Sequence, residues 1–264
     1  MIQFNVFPGG KKRVLTFSFD DGDKEDERLT QLLNKYGLKA TFCLNGAEFA
    51  GRRDEYAVLR KRYSGHEIAC HSLYHGRLTY MSPPSIINEV FEERKILEEI
   101  AEYPVCGFSY PCGSSNEISQ QVLSSCGFLY ARKASSAGFE VPENFYLWKP
   151  TCHFRKCDEH LKYFTERIDS VWEEPVFFMW GHGHDMHSET DWEETESTFK
   201  GLSGNPKIWY ATNIEICNYV RAQRALVSSA DERILYNPTA TDVWVERNKE
   251  KIICIPAGKT VRAY

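Results

Sequence analysis

The 264-residue sequence has nine cysteines but no C-x-x-C pair, which excludes a zinc ribbon or a thioredoxin-type redox motif. The number is odd, and Cys43, Cys70 and Cys254 sit inside apolar runs, so reduced thiols in a cytoplasmic protein are expected. No apolar stretch approaches the ~20 residues of a membrane span, and residues 1–15 lack the apolar run and small-residue cleavage site of a signal peptide. A basic surplus is missing too. Lys and Arg total 32 against 37 Asp and Glu, a net charge of -5, so nucleic acid is not an expected partner: its phosphates would meet net repulsion. No internal repeat or low-complexity segment breaks the chain.

What is present suits a large folded core, with 42% hydrophobic and 14% aromatic residues. Strand-like and helix-like patterns alternate. Strands are expected at 14–20, 39–44, 67–71, 107–110, 129–133, 146–149, 175–180 and 208–212. Helices are expected at 26–36, 54–63, 85–102, 117–125, 159–172, 191–200 and 214–226. Repeated βα units favour parallel strands with helical crossovers, in a wound barrel or an open doubly wound sheet. Beyond residue 226 the texture changes to short strands at 234–236, 242–246, 251–255 and 260–263. This β-rich extension, 227–264, buries too little to fold alone and is expected to pack on a catalytic unit formed by 1–226.

Chemically capable residues cluster where the predicted strands end. Asp20-Asp21-Gly22 follows the first strand, His71 and His75 the third, Tyr110-Pro111-Cys112-Gly113 the fourth, and Gly181-His182-Gly183-His184-Asp185 the strand at 175–180. In parallel α/β folds such loops share one face. One carboxylate with two imidazoles makes a three-ligand metal site with open positions. Four residues apart, His71 and His75 present both rings to one side if the chain turns helically. Asp-Asp-Gly is ordinarily a loop tripeptide; chemistry requires its carboxylates to diverge. One would bind the metal, and the other would take a proton from a water acidified there as it attacks a carbonyl carbon. A histidine from another loop suits the acid for the leaving group.

These residues carry a family resemblance. Thr16-Phe17-Ser18-Phe19-Asp20-Asp21-Gly22 resembles the first motif of polysaccharide deacetylases, the NodB-like catalytic domain, and His71-Ser72-Leu73-Tyr74-His75 matches their H-S/T-x-x-H motif. Gly65-His66-Glu67-Ile68-Ala69 leads into it as in many members, and the resemblance covers roughly residues 11–226. It implies an α/β fold, a distorted (β/α)7-type barrel. It makes Asp20 the general base, Asp21, His71 and His75 the metal ligands, and His182 the general acid, with His184 as alternate. The oxyanion would be held by the metal and the backbone N–H of Cys112, with Tyr110 in the same motif. The implied reaction is metal-dependent removal of an acetyl group from an N- or O-acetylated sugar. Zinc suits a His/His/carboxylate set; cobalt, nickel, manganese and iron bind similar ligands.

One departure is visible. Ser109 stands where the family's third motif usually has an arginine that orients the base, and Arg132 in the next predicted strand is the candidate replacement. Trp148 aligns with the fourth motif and is expected to line the site, a core tryptophan being the alternative. His153 is a candidate for the site rim, His66 reads as structural and His160 as solvent-exposed. Two other functions fit: hydrolysis of a non-sugar amide, for which Ser109 leaves room, and a catalytically weak sugar-binding module, disfavoured because Asp20 is present.

Overall fold

The computed structural model describes residues 1–169 and 175–263. After a two-residue strand β1 (Ile2–Gln3), the chain enters the long strand β2 (Arg13–Asp21). Successive side chains of a strand point to opposite faces. Phe17 and Phe19 therefore join the apolar layer under the helices, while Thr16, Ser18 and Asp20 are buried on the other face. Strands β3 (Ala40–Leu44), β4 (Glu67–Cys70), β5 (Gly107–Ser109), β6 (Tyr130–Arg132), β7 (Cys152–His153), β8 (Val176–His182) and β9 (Ile208–Tyr210) complete the main sheet. Its order is β6-β5-β4-β3-β2-β8-β7, all parallel, with β9 also pairing β2. A parallel bridge between Arg132 and Trp148 links β6 to the segment that leads into β7. The two edges thus meet, and the sheet forms the distorted (β/α)7-type barrel that the motifs imply.

Helices α1 (Asp26–Lys35), α2 (Tyr56–Arg62), α3 (Pro83–Ala101), α4 (Glu117–Ser125), α5 (Asp158–Glu166), α6 (Glu189–Leu202) and α7 (Asn213–Arg224) supply the crossovers. Their starts are written locally. Pro83 opens α3, and reciprocal side-chain caps open α4 (Asn116 with Ser119), α6 (Ser188 with Asp191) and α7 (Thr212 with Glu215). The start of α7 meets the end of the barrel where the strands begin: Asn213 N–H donates to Thr41 Oγ1 (3.0 Å) and Ile214 N–H to Glu67 Oε2 (2.9 Å).

Three sequence expectations change. The strand expected at 146–149 is a 3₁₀ turn, Phe145–Leu147, because Asn144 caps it through the N–H of Tyr146 (2.9 Å); only Trp148 bridges to the sheet. The strand β7 follows instead. The helix expected at 159–172 runs over Asp158–Glu166, and positions 170–172 of that expectation lie outside the described residues. His160 is half-buried, its ring 6.1 Å from that of Phe139.

The C-terminal strands β10 (Val227–Ser228), β11 (Ile234–Tyr236), β12 (Val243–Arg247), β13 (Lys251–Ile255) and β14 (Thr260–Arg262) make two antiparallel three-stranded sheets, β1-β12-β13 and β10-β11-β14. The N-terminal strand is thus shared with this extension. Tyr219 and Gln223 of α7 tie it down: Trp244 N–H donates to Tyr219 Oη (3.0 Å), and Gln223 Nε2 donates to the carbonyl of Trp244 (3.3 Å). Among the described residues, no helix is long and apolar enough to cross a membrane.

Candidate metal centre and active site

Asp20 and Asp21 close β2, and Asp20 is the register partner of both Cys43 on β3 and His182 on β8. Asp21 (φ 76°) and Gly22 (φ 74°) turn the chain sharply away. A Cβ on Gly22 would stand 2.8 Å from Leu44 Cδ2, so the turn needs glycine. Asp21 Oδ1 lies 3.6 Å from His71 Nε2 and 3.7 Å from His75 Nε2. The imidazoles meet edge-on with centroids 4.9 Å apart, and the three potential ligand atoms all lie within 4.8 Å of one another. His71 Nδ1 is 2.9 Å from the carbonyl of Ser109. That carbonyl can only accept, so Nδ1 carries the proton and the Nε2 lone pair faces Asp21.

The His71–His75 turn is strained. Ser72 (φ 70°) and His75 (φ 56°) are left-handed, a conformation costing about 1–3 kcal/mol for each residue. Helix α3 clasps it. Glu93 Oε1 accepts the N–H of His71 (2.8 Å), and Glu89 Oε1 accepts from Ser72 Oγ (2.7 Å) and the N–H of Tyr74 (2.8 Å). From the β3 side, Asn45 Nδ2 donates to the carbonyls of His71 (2.9 Å) and Ser72 (3.1 Å). Burial pushes the Glu93 carboxyl well above the usual carboxylate range, against the pull of the backbone N–H groups around it.

Asp20 is 2% exposed. Arg132 forms a buried ion pair with its Oδ2 and also donates to Ser109 Oγ, with the guanidinium stacked 4.6 Å from the centre of the Trp180 ring. Burial acts to raise the Asp20 pKa, but the charge of Arg132, the charge of His71 and the hydrogen bond from Arg132 outweigh it, and the carboxyl lies below its ordinary value. Asp20 Oδ1 has no hydrogen-bond partner among the described residues.

His182, the last residue of β8, faces this cluster half-buried. Its Nδ1 stands 3.1 Å from Asp185 Oδ2, which also accepts the His182 backbone N–H (2.7 Å) and lies 3.2 Å from His153 Nε2. Burial pulls the His182 pKa down; the Asp185 hydrogen bond and the charges of Asp20, Asp185 and Asp21 push it up, and the net shift is upward. His184 stacks on His182 with centroids 4.8 Å apart, yet its Nδ1 is bound to Asp23 Oδ2 at 2.9 Å. His153 stands at the rim, edge-on to Trp180 at 5.0 Å.

Two expectations about the lining are corrected. Trp148 is 1% exposed and packs against Tyr130, Phe145 and Phe178, so it is a core residue with no surface to offer a ligand. Tyr110 is equally buried, its ring edge-on to Phe108, because its side chain turns into the apolar layer beneath α4. Cys112 behaves differently: it is exposed in a tight turn directly after β5, with φ 54°.

The polysaccharide deacetylase family model matches residues 8–131. The match spans just under half of the chain. A Bacillus subtilis protein assigned to that family, YheN, is 30% identical over 125 residues, 45% of this chain and 43% of the relative. The chain spans less than half the length of the curated relatives it matches. The fold agrees with a protein from Mycobacterium smegmatis assigned to the same family, at TM-score 0.64 and 18% identity over 83% of this chain and 93% of that one. It also agrees with a family 4 acetyl xylan esterase from Clostridium thermocellum solved with a cobalt ion, at TM-score 0.53 and 17% identity over 78% of this chain and 91% of that one.

Sequence reasoning gave no role to Asp185, Trp180, Glu89 or Glu93. Trp180 had a signal: two residues before His182 on one strand, it shares that histidine's face. Asp185 follows His182 by three, a capping-box spacing. Glu89 and Glu93 fall on the α3 stripe of Ile86, Val90, Leu97 and Ile100, where a carboxylate must find buried partners.

Proposed function

We propose that this protein is a divalent-metal-dependent deacetylase that removes the acetyl group of an N-acetylated sugar, with O-acetyl esters open to the same chemistry. The observation that carries this reading is the convergence of Asp21 Oδ1 with the Nε2 atoms of His71 and His75, within 3.7 Å, next to an Asp20 carboxyl that belongs to a different pair. The donor set fits an ion. Two imidazole nitrogens and a carboxylate oxygen suit zinc, and also cobalt, nickel, manganese or iron. When bound there, such an ion supplies Lewis acidity that makes water nucleophilic near neutral pH and polarises a carbonyl.

The remaining work falls to the chain. Ionised at neutral pH and fixed by Arg132, Asp20 takes the proton of the attacking water on its unpartnered Oδ1. His182, its Nδ1–H held by Asp185, presents Nε2–H to the leaving nitrogen or oxygen. The backbone N–H of Cys112, in the exposed turn after β5, is the proposed donor to the developing oxyanion. Trp180, stacked on Arg132 and beside His153 and His182, walls the site in place of Trp148.

A panel of acetylated mono- and oligosaccharides tests the reading. Acetate release is expected from at least one sugar, to be abolished by a chelator and restored by added zinc or cobalt. Release from none, or release indifferent to chelator, would remove the proposal. The acid has its own test. It works protonated, so kcat/KM falls as pH rises through its pKa, which Asp185 helps to raise. Asp185→Asn is therefore expected to shift the alkaline limb of the kcat/KM profile to lower pH; a limb that stays put would clear His182 of this role.

A further inference from the structure

We propose that His153, His182 and Asp185 form a second divalent-cation site, separate from the Asp21, His71 and His75 set, whose occupancy silences the acid. Asp185 Oδ2 stands 3.1 Å from His182 Nδ1 and 3.2 Å from His153 Nε2, and all three ligand atoms lie within 4.8 Å of one another. Ligands bound tetrahedrally at about 2.0–2.1 Å stand roughly 3.4 Å apart. The trio is thus already close to the spacing that one ion demands. Side-chain exposures of 24%, 23% and 21% leave an approach for the ion and a fourth position for solvent. The donor set, two imidazoles and a carboxylate, selects zinc, cobalt or nickel over calcium or magnesium.

A rival grouping of Asp21, His182 and His184 is weaker. Asp21 already faces His71 and His75, and His184 Nδ1 is engaged by Asp23 at 2.9 Å. In the metal-free arrangement His182 Nδ1–H and His153 Nε2–H both point to Asp185; on binding an ion, His182 keeps a proton on Nε2 alone, and the His153 proton moves to Nδ1, giving up the hydrogen bond from Arg155 N–H. With Nδ1 metallated, the His182 ring is neutral, and its Nε2–H is far less acidic than that of an imidazolium. That proton is held too tightly to be given to the leaving group. Binding at this site does not depend on the proposed function; only the loss of activity does.

The test titrates metal-free protein with zinc, reading bound equivalents by competition with a chromophoric chelator and acetate release in parallel. Wild type is expected to bind two equivalents, with activity rising on the first and falling about a hundredfold on the second, within the range a general acid contributes. His153→Gln should lose the second equivalent and the inhibition together. His184→Ala should keep both equivalents, and Asp21→Asn should keep the one held by His153. A wild type that binds a single equivalent at millimolar zinc, or a folded His153→Gln protein that still binds two, overturns the site. Loss of the second equivalent in His184→Ala does the same, in favour of the rival grouping. A second equivalent bound without inhibition leaves the site standing and removes His182 as the acid.

Discussion

Asp20→Asn is expected to lower acetate release by about 10²–10⁴-fold while bound metal stays at the wild-type level. The substitution is nearly isosteric and spares Asp21, His71 and His75, so the ligand set is untouched. What it removes is basicity, since an amide oxygen cannot accept the proton of an attacking water at neutral pH. Metal analysis beside a steady-state assay separates the two effects. If kcat stayed within about threefold of wild type, another group would be the base. If metal were lost instead, Asp20 would be a ligand and the division of labour between the two aspartates would be wrong.

The second large effect concerns Arg132. Replacing it with Met leaves the Asp20 charge buried and unpaired, a change that costs about 3–5 kcal/mol when one partner of a buried ion pair is removed. The midpoint of thermal unfolding should fall by on the order of 10 °C. Activity should fall as well, because Asp20 would lose both its orientation and its low pKa. The double variant Asp20→Asn with Arg132→Met is expected to recover much of the stability, as it no longer holds an uncompensated charge. Calorimetry of the two single variants and the double variant measures that coupling. Additive losses would mean that the pair contributes nothing as a pair.

The parts of this molecule that could be read in advance are those in which a local pattern decides the outcome. The βα alternation resides in short runs of neighbouring residues. The proposed ligand trio Asp21, His71 and His75 came from spacing and resemblance, and the structure brings the three side chains together. Arg132 was a candidate because Ser109 stands where the family motif usually has an arginine. That it lies 1% exposed, register-paired with Ser109 and inside the barrel, depends on which strands are neighbours, a property of the whole sheet.

Trp148 illustrates the opposite outcome. Its sequence neighbourhood resembles a site motif, yet the tight turn at Phe145–Leu147 sends the indole into the core. The tryptophan beside the histidines is Trp180, whose position follows from simple strand alternation with His182. Glu89 and Glu93 were hidden for a different reason. Two glutamates on a long helix look solvated until the loop they clasp is brought beside them, and that loop begins eighteen residues before Glu89 (89 − 71). Long-range hydrogen bonding of this kind leaves no periodic trace in a sequence.

The bridge between Arg132 and Trp148 has a dynamic consequence. At this junction the sheet is stitched by two backbone hydrogen bonds, from Lys133 N–H to the carbonyl of Trp148 (2.8 Å) and from Trp148 N–H to the carbonyl of Ala131 (3.2 Å). By contrast β2 and β8, one strand in from the β7 edge, are in register over seven consecutive residues. The seam amides should therefore exchange with solvent faster than those between β2 and β8. The guanidinium that pairs with Asp20 is anchored on that lightly sewn edge, so the alignment of the proposed base is tied to a part of the wall that opens readily.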